Sequence, residues 1–249
     1  ENLCVLINDF ITKCGSSDDM VKRINDKLPG TGLVTSLQSH LEAPTLVSSC
    51  GALEHLMTKP FAQKLVKQKL DTALADVVKR HNREQLELKS NQRNGNVAAA
   101  AAKVACKMLK VSLKDNGERL VESGLVQGLM SAMKLHPKDE TLTTNACEII
   151  AMLAKLSPEC AEKLKAMGAV GVLVRCLELN PHSAKLLRMG AEALKHLRTT
   201  VDLARSLEMV KDLDSNAMAT VGALALVDAN VGYLIKNGGV VLITGMLKQ

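Results

Sequence analysis

The side chains best equipped for chemistry in this 249-residue chain are six histidines, at 40, 55, 81, 136, 182 and 196, and seven cysteines, at 4, 14, 50, 106, 147, 160 and 176. A zinc site would require close clusters such as C-x-x-C or H-E-x-x-H, because one ion must be reached by its ligands at roughly 2 Å. No such cluster occurs. A thiol nucleophile needs a base beside it. Cys50 and His55 come nearest, but five residues of helix turn them about 140° apart. Gly30-Thr-Gly32 opens like a nucleotide-binding loop without the rest of the fingerprint, and no P-loop or G-x-S-x-G occurs. The sequence therefore predicts no catalytic residue, no metal site, no cofactor and no small-molecule substrate.

The cysteines are odd in number and mostly sit among small residues, as in Ala105-Cys106 and Ala146-Cys147. There a free thiol behaves as a small hydrophobe. With no N-x-S/T sequon either, they read as reduced core residues of a cytoplasmic protein. The first residue is Glu1 rather than Met, so a trimmed N-terminus is expected, with any targeting or lipidation motif upstream of it.

Composition fixes the elements that must carry these residues. Hydrophobic residues make up 47% of the chain and charged residues 23%, enough for a folded core and too apolar for disorder. No window of about 18 residues is apolar and uncharged, as a membrane span would require. Two Phe, one Tyr and no Trp leave the core to Ala, Leu, Met and Val, a composition that favours helices over strands. The same scarcity removes the aromatic platforms on which single-stranded nucleic acid would stack, and no nucleic-acid partner is expected.

Internal repetition sets the architecture. Gly124-Leu-Val-Gln-Gly-Leu-Met-Ser-Ala-Met133 aligns with Gly168-Ala-Val-Gly-Val-Leu-Val-Arg-Cys-Leu177, with Gly238–Leu247 and with Gly32–Leu41. In each, a glycine is expected to end one helix while apolar residues at helical spacing open the next. Weaker copies follow Lys69 and Asp202. Unit starts near 32, 69, 124, 168, 202 and 238 then have spacings of 37, 55, 44, 34 and 36 residues. Polar breaks at His136-Pro-Lys-Asp-Glu140 and Asn180-Pro-His-Ser183 precede second apolar runs, 142–156 and 184–197. Two or three helices per unit of about 40 residues is the armadillo/HEAT period. The long unit is explained by a polar loop insertion at 81–96, and five alanines, Ala98–Ala102, follow it.

The chain resembles the armadillo-repeat family. The resemblance rests on the glycine-started segments and on Gly51-Ala-Leu-Glu-His-Leu56 and Gly190-Ala-Glu-Ala-Leu-Lys-His-Leu197, which are similar to the family's Ala-Leu-x-Asn-Leu third helix. It implies an all-α, right-handed superhelical solenoid of armadillo (or HEAT-like) repeats over residues 1–249, a single repeat domain whose third helices line a concave groove. In peptide-binding members an Asn ladder there holds the partner's backbone and Trp residues one turn earlier hold its side chains. This chain places His55, Met108, Met152, His196 and Leu226 at the Asn position, and Gly51, Val104, Glu148, Glu192 and Gly222 at the Trp position. Both ladders are missing, which argues against an import-type peptide receptor.

The expected groove is instead a stripe of carboxylates, thioethers and imidazoles: His55, Met108, Glu148, Met152, Glu192 and His196. Glu148 and Glu192, 44 residues apart, should stack in adjacent repeats. The function this implies is a protein-interaction scaffold that binds a helical or extended partner segment. A second function class comes from charge. The net charge is +6, and residues 59–93 hold nine Lys/Arg against four Asp/Glu. That segment reads either as a solvated helix face with an exposed loop or as a patch for an anionic membrane surface, with Lys64, Lys67, Lys69, Lys79, Arg80 and Arg83 as its basic residues. In the latter case an acylated N-terminus would assist, as in the small armadillo-repeats-only proteins of apicomplexan parasites, and the chain would sit on the cytosolic face of an organelle or plasma membrane.

Overall fold

A computed structural model describes residues 3–14, 18–27, 30–39, 42–89, 94–180, 182–197, 225, 231–232 and 235–236. Packing divides the chain into two units, Glu1–His136 and Pro137–Gln249. The first holds α1 (Leu3–Cys14), α2 (Asp18–Lys27), α3 (Gly30–Ser39), α4 (Ala43–Leu56), α5 (Lys59–Lys67), α6 (Leu70–Glu87), α7 (Asn96–Val111), α8 (Leu113–Glu122) and α9 (Leu125–Leu135). The second holds α10 (Glu140–Leu156), α11 (Pro158–Ala166), α12 (Ala169–Leu179) and α13 (Ala184–His196). Among the described residues there is no strand. In chain order the described helices after α1 fall into triplets, α2–α4, α5–α7, α8–α10 and α11–α13, three helices to each of these repeats.

One backbone device sets the triplet. Gly124 and Gly168 adopt φ of 80° and 83°, and Lys69 does the same at 60°. At each, the left-handed residue closes the first helix by donating its N–H three residues back: Lys69 to the Val66 carbonyl (3.0 Å), Gly124 to Val121 (3.2 Å), Gly168 to Lys165 (2.8 Å). Its own carbonyl then accepts the first bond of the second helix, from Ala73, Gly128 and Val172 respectively. A left-handed residue costs an L-amino acid roughly 1–2 kcal/mol, which is why glycine occupies two of the three sites. The expectation for Gly32 is corrected: α3 already begins at Gly30, so Gly32 lies inside the helix and no turn is made there.

In the second unit the third helices are capped at their starts by side chains. Asp139 Oδ1 accepts from the Leu142 N–H at 2.9 Å to open α10, and Ser183 Oγ accepts from Leu186 at 3.3 Å to open α13. In the second unit these corners are tied together: Asn180 Nδ2 donates to both the Pro137 and the Cys176 carbonyls at 2.7 Å, and Ser183 Oγ donates to Glu140 Oε1. Third helices pack on third helices, α4 between α1 and α7 and, in the second unit, α10 on α13; α6 packs between second helices α3 and α9. The core is Leu, Val, Ala and Met with five described cysteines, 50, 106, 147, 160 and 176, all buried.

The 81–96 insertion is shorter than the sequence suggests. Residues 81–87 continue α6, because His81, Asn82 and Gln85 follow Val77 and Val78 onto its buried face despite being polar. Only 88–95 connects α6 to α7. His81 Nε2 meets the Asn94 carbonyl at 3.2 Å and Gln85 Oε1 accepts from the Asn94 N–H at 2.7 Å, so the polar residues hold the end of the connection. His136, the first residue of the polar break before α10, is buried at 9% exposure. The repeat starts near 202 and 238 lie outside the described residues.

Candidate functional site

The faces of the third helices that stay out of the core are the surface to build from. On α4, His55 is exposed and Gly51 half-buried one turn earlier. On α10, Glu148 and Met152 are both half-buried, one turn apart. On α13, Glu192 and His196 carry side chains 47% and 23% exposed, and the His196 Nε2–H donates to Glu192 Oε1 at 2.8 Å. A four-residue separation stacks two side chains on one helix face, which produces both pairs. Glu148 and Glu192 thus stand on α10 and α13, two helices packed directly together in the second unit.

On α7 the expectation fails by one residue. Met108 is 1% exposed and Val104 fully buried, so neither offers a partner anything. The face that reaches solvent is Asn96, Lys103, Lys107 and Lys110, with Ala100 half-buried among them. The helix reads Asn-Val-Ala-Ala-Ala-Ala-Ala-Lys-Val-Ala-Cys-Lys-Met-Leu-Lys-Val, apolar nearly all round, and only the lysine spacing marks its outer side. Leu226 and Gly222 lie outside the described residues.

The basic segment divides between two helices. Lys64 and Lys67 are exposed on α5, which has no acidic residue, and Lys69 is exposed at its left-handed turn. Lys79 and Arg83 are exposed and Arg80 half-buried on α6, where Asp76, Glu84 and Glu87 are interleaved with them. From Lys69 to Arg83 the helix advances about 21 Å. The basic stretch with no acidic residue interleaved is therefore α5 and its C-terminal turn.

Two concavities flank these surfaces. In the first unit a cleft of about 530 Å³ is lined by Lys22, Asn25 and Asp26 of α2 and by Thr58, Pro60, Phe61 and Lys64 at the start of α5. Asn25, which sequence reading missed, donates from Nδ2 to the Leu56 carbonyl at 3.0 Å and to Thr58 Oγ1 at 3.1 Å, tying α2 to the α4–α5 corner. In the second unit a smaller one, about 290 Å³, brings Lys155, Lys165, Lys195 and His196 around the start of α11. There Lys165 pairs with Glu162, and hydrogen bonds from its own backbone N–H and from Ser157 hold the Glu159 carboxyl below its usual range.

Reactive chemistry has little to work with. Burial, with Cys176 nearby, pushes the Cys147 thiol well up, and burial pushes Cys176 to about 12 despite Arg175. Neither is a thiolate near neutrality. Among the described residues no group of three or more His, Cys, Asp and Glu could hold a metal ion, and no helix is long and apolar enough to cross a membrane.

Triplets of helices, a left-handed residue between first and second helices, and third helices stacked on one another define an all-α solenoid of the armadillo type. Solved structures agree. The chain is similar to a designed armadillo repeat protein in complex with a (KR)4 peptide, at 16% identity and a TM-score of 0.60, over 87% of this chain and 90% of that one. It is also similar to the crystal structure of an engineered protein, at 15% identity and a TM-score of 0.64, over 92% of this chain and all of the other. No protein-family model matches the chain, and no curated protein does.

Proposed function

We propose that the chain is a non-catalytic scaffold or adaptor that binds a segment of a partner protein along its third helices. The observation that carries this reading is the two-sided character of those helices. One side is core, while His55, Lys103, Lys107, Glu192 and His196 are kept at the surface in rows at helical spacing. A repeat stack needs only its neighbours for stability, so it can present an extended surface without a second layer to bury it. The peptide carried by the designed armadillo neighbour supports a polypeptide as the ligand class. An import-type receptor is disfavoured, since no Asn occupies the ladder positions at 55, 108, 152 or 196.

Affinity capture from cytosol tests this, comparing the wild-type chain with Glu148→Lys/Glu192→Lys after both are shown to be equally helical. Loss of specific partners from the double variant supports the third-helix surface of the second unit. An unchanged partner set removes it.

A second reading has one observation in its favour. Helix α5 exposes Lys59, Lys64 and Lys67 with no acidic residue between them, as a helix resting on an anionic leaflet would. Co-sedimentation with phosphatidylserine vesicles, lost on Lys64→Glu/Lys67→Glu, would support membrane docking from the cytoplasmic side. No sedimentation by the wild type would dismiss the protein's own basic face as an anchor.

A further inference from the structure

We propose that the outer face of α7 recognises an acidic segment of the partner. The proposal rests on the third-helix reading above and gives it a partner chemistry. Helix α7 carries three lysines, Lys103, Lys107 and Lys110, and no Asp or Glu. At 3.6 residues per turn the three lie within an arc of about 60° and span about 10.5 Å along the axis. All three are exposed, and the half-buried Ala100 one turn before them leaves the approach low. The side chains of Lys103 and Lys107 make no hydrogen bond or ion pair with a described residue.

The lysines' places on the helix are held firmly. Val104, Ala105, Cys106, Met108 and Leu109 between the lysines are all buried, so the helix cannot roll without exposing its core face. The neighbouring third helix α4 contributes one half-buried carboxylate, Glu54, and the exposed His55. A row of lysines on a helix with no carboxylate of its own repels a basic peptide and attracts an acidic one. Lysine is a flexible point charge, not a fork, so the surface selects net negative charge more than one fixed carboxylate geometry. Exposed charges are screened by salt, and the recognition weakens as ionic strength rises.

The test is fluorescence anisotropy with two labelled probes, a (Glu-Asp)4 peptide and a (Lys-Arg)4 peptide, against the full chain at low and high salt. Four proteins are compared: wild type, Lys103→Glu/Lys107→Glu, Lys103→Gln/Lys107→Gln, and Lys64→Glu/Lys67→Glu, which makes the same charge change on α5. Circular dichroism establishes that each is folded. The acidic peptide should bind the wild type and the α5 variant alike, bind the Gln variant more weakly, and bind the α7 Glu variant at least about tenfold more weakly. The basic peptide should not bind the wild type. Equal loss in the α5 and α7 Glu variants, preference for the basic peptide, or no binding of the acidic one overturns the proposal. Any of these leaves the scaffold reading to its own capture experiment, whose substitutions lie on α10 and α13.

Discussion

Asn82 of α6 donates from Nδ2 to the Gly128 carbonyl of α9 at 2.8 Å, joining the second helices of two successive repeats. The approach is close enough that a Cβ on Gly128 would meet Val78 Cγ1 at 3.2 Å. The bond crosses 46 residues of sequence and is partly buried, so Asn82→Ala should cost about 1–2 kcal/mol in urea unfolding. Asn145→Ala removes only an exposed bond to the Thr141 carbonyl and should change stability by less than about 0.5 kcal/mol. Equal effects would mean that the inter-repeat bond contributes nothing of its own.

Gly190 is the tightest of the described glycines. A Cβ there would sit 2.6 Å from Leu177 Cδ2, between α12 and α13. Gly190→Ala should therefore destabilise by about 1–3 kcal/mol, although alanine is the better helix former. Combining it with Leu177→Ala should give less than the sum of the single effects, because the truncated side chain leaves room for the methyl. Strict additivity in the double-mutant cycle would contradict the contact.

Lys69 holds a conformation that glycine holds at 124 and 168. Lys69→Gly relieves the left-handed strain while adding freedom to the unfolded chain, and the balance should be a gain of up to about 1 kcal/mol. Gly124→Ala should lose about 1–2 kcal/mol by the same logic. Both are read from thermal melts; a Lys69→Gly variant less stable than wild type would show that its side chain matters more than its backbone.

His81 introduces a pH dependence. Burial lowers its pKa from 6.5, outweighing the bond to the Asn94 carbonyl and the attraction of Glu84. The unfolded state then binds the proton more readily than the folded one. The stability contribution is complete above about pH 6.5 and is lost as pH falls through the lower folded value. Urea unfolding at pH 7 and pH 5 should show a smaller difference for His81→Gln than for wild type. An identical difference would remove His81 from the pH response.

The architecture was legible in the sequence because its controlling residues are chemically conspicuous. A glycine at 124 and at 168, each followed by the same apolar spacing, announces a left-handed turn that other residues resist. The caps at Asp139 and Ser183 stand beside proline-containing breaks. Lys69 was found only through periodicity, since nothing in a lysine signals positive φ. The faces were harder. In α7 the apolar residues run nearly all round the helix, so alignment to a family motif pointed to Val104 and Met108, while packing turned Lys103 and Lys107 outward. Residues 81–87 looked like a loop because His81, Asn82 and Gln85 are polar, yet their partners, Asn94 and Gly128, lie 9 to 46 residues away and are invisible to a local reading.

The central claim is that the third helices carry the partner surface. A photoactivatable cross-linker placed in turn at positions 55, 103, 152 and 192 on third helices, and at 63, 118 and 162 on first helices, tests it most directly in cytosol. The account predicts partner adducts, identified by mass spectrometry, from the third-helix positions and few from the first-helix ones. Adducts concentrated at 63, 118 and 162 would contradict it and move the binding surface to the first helices.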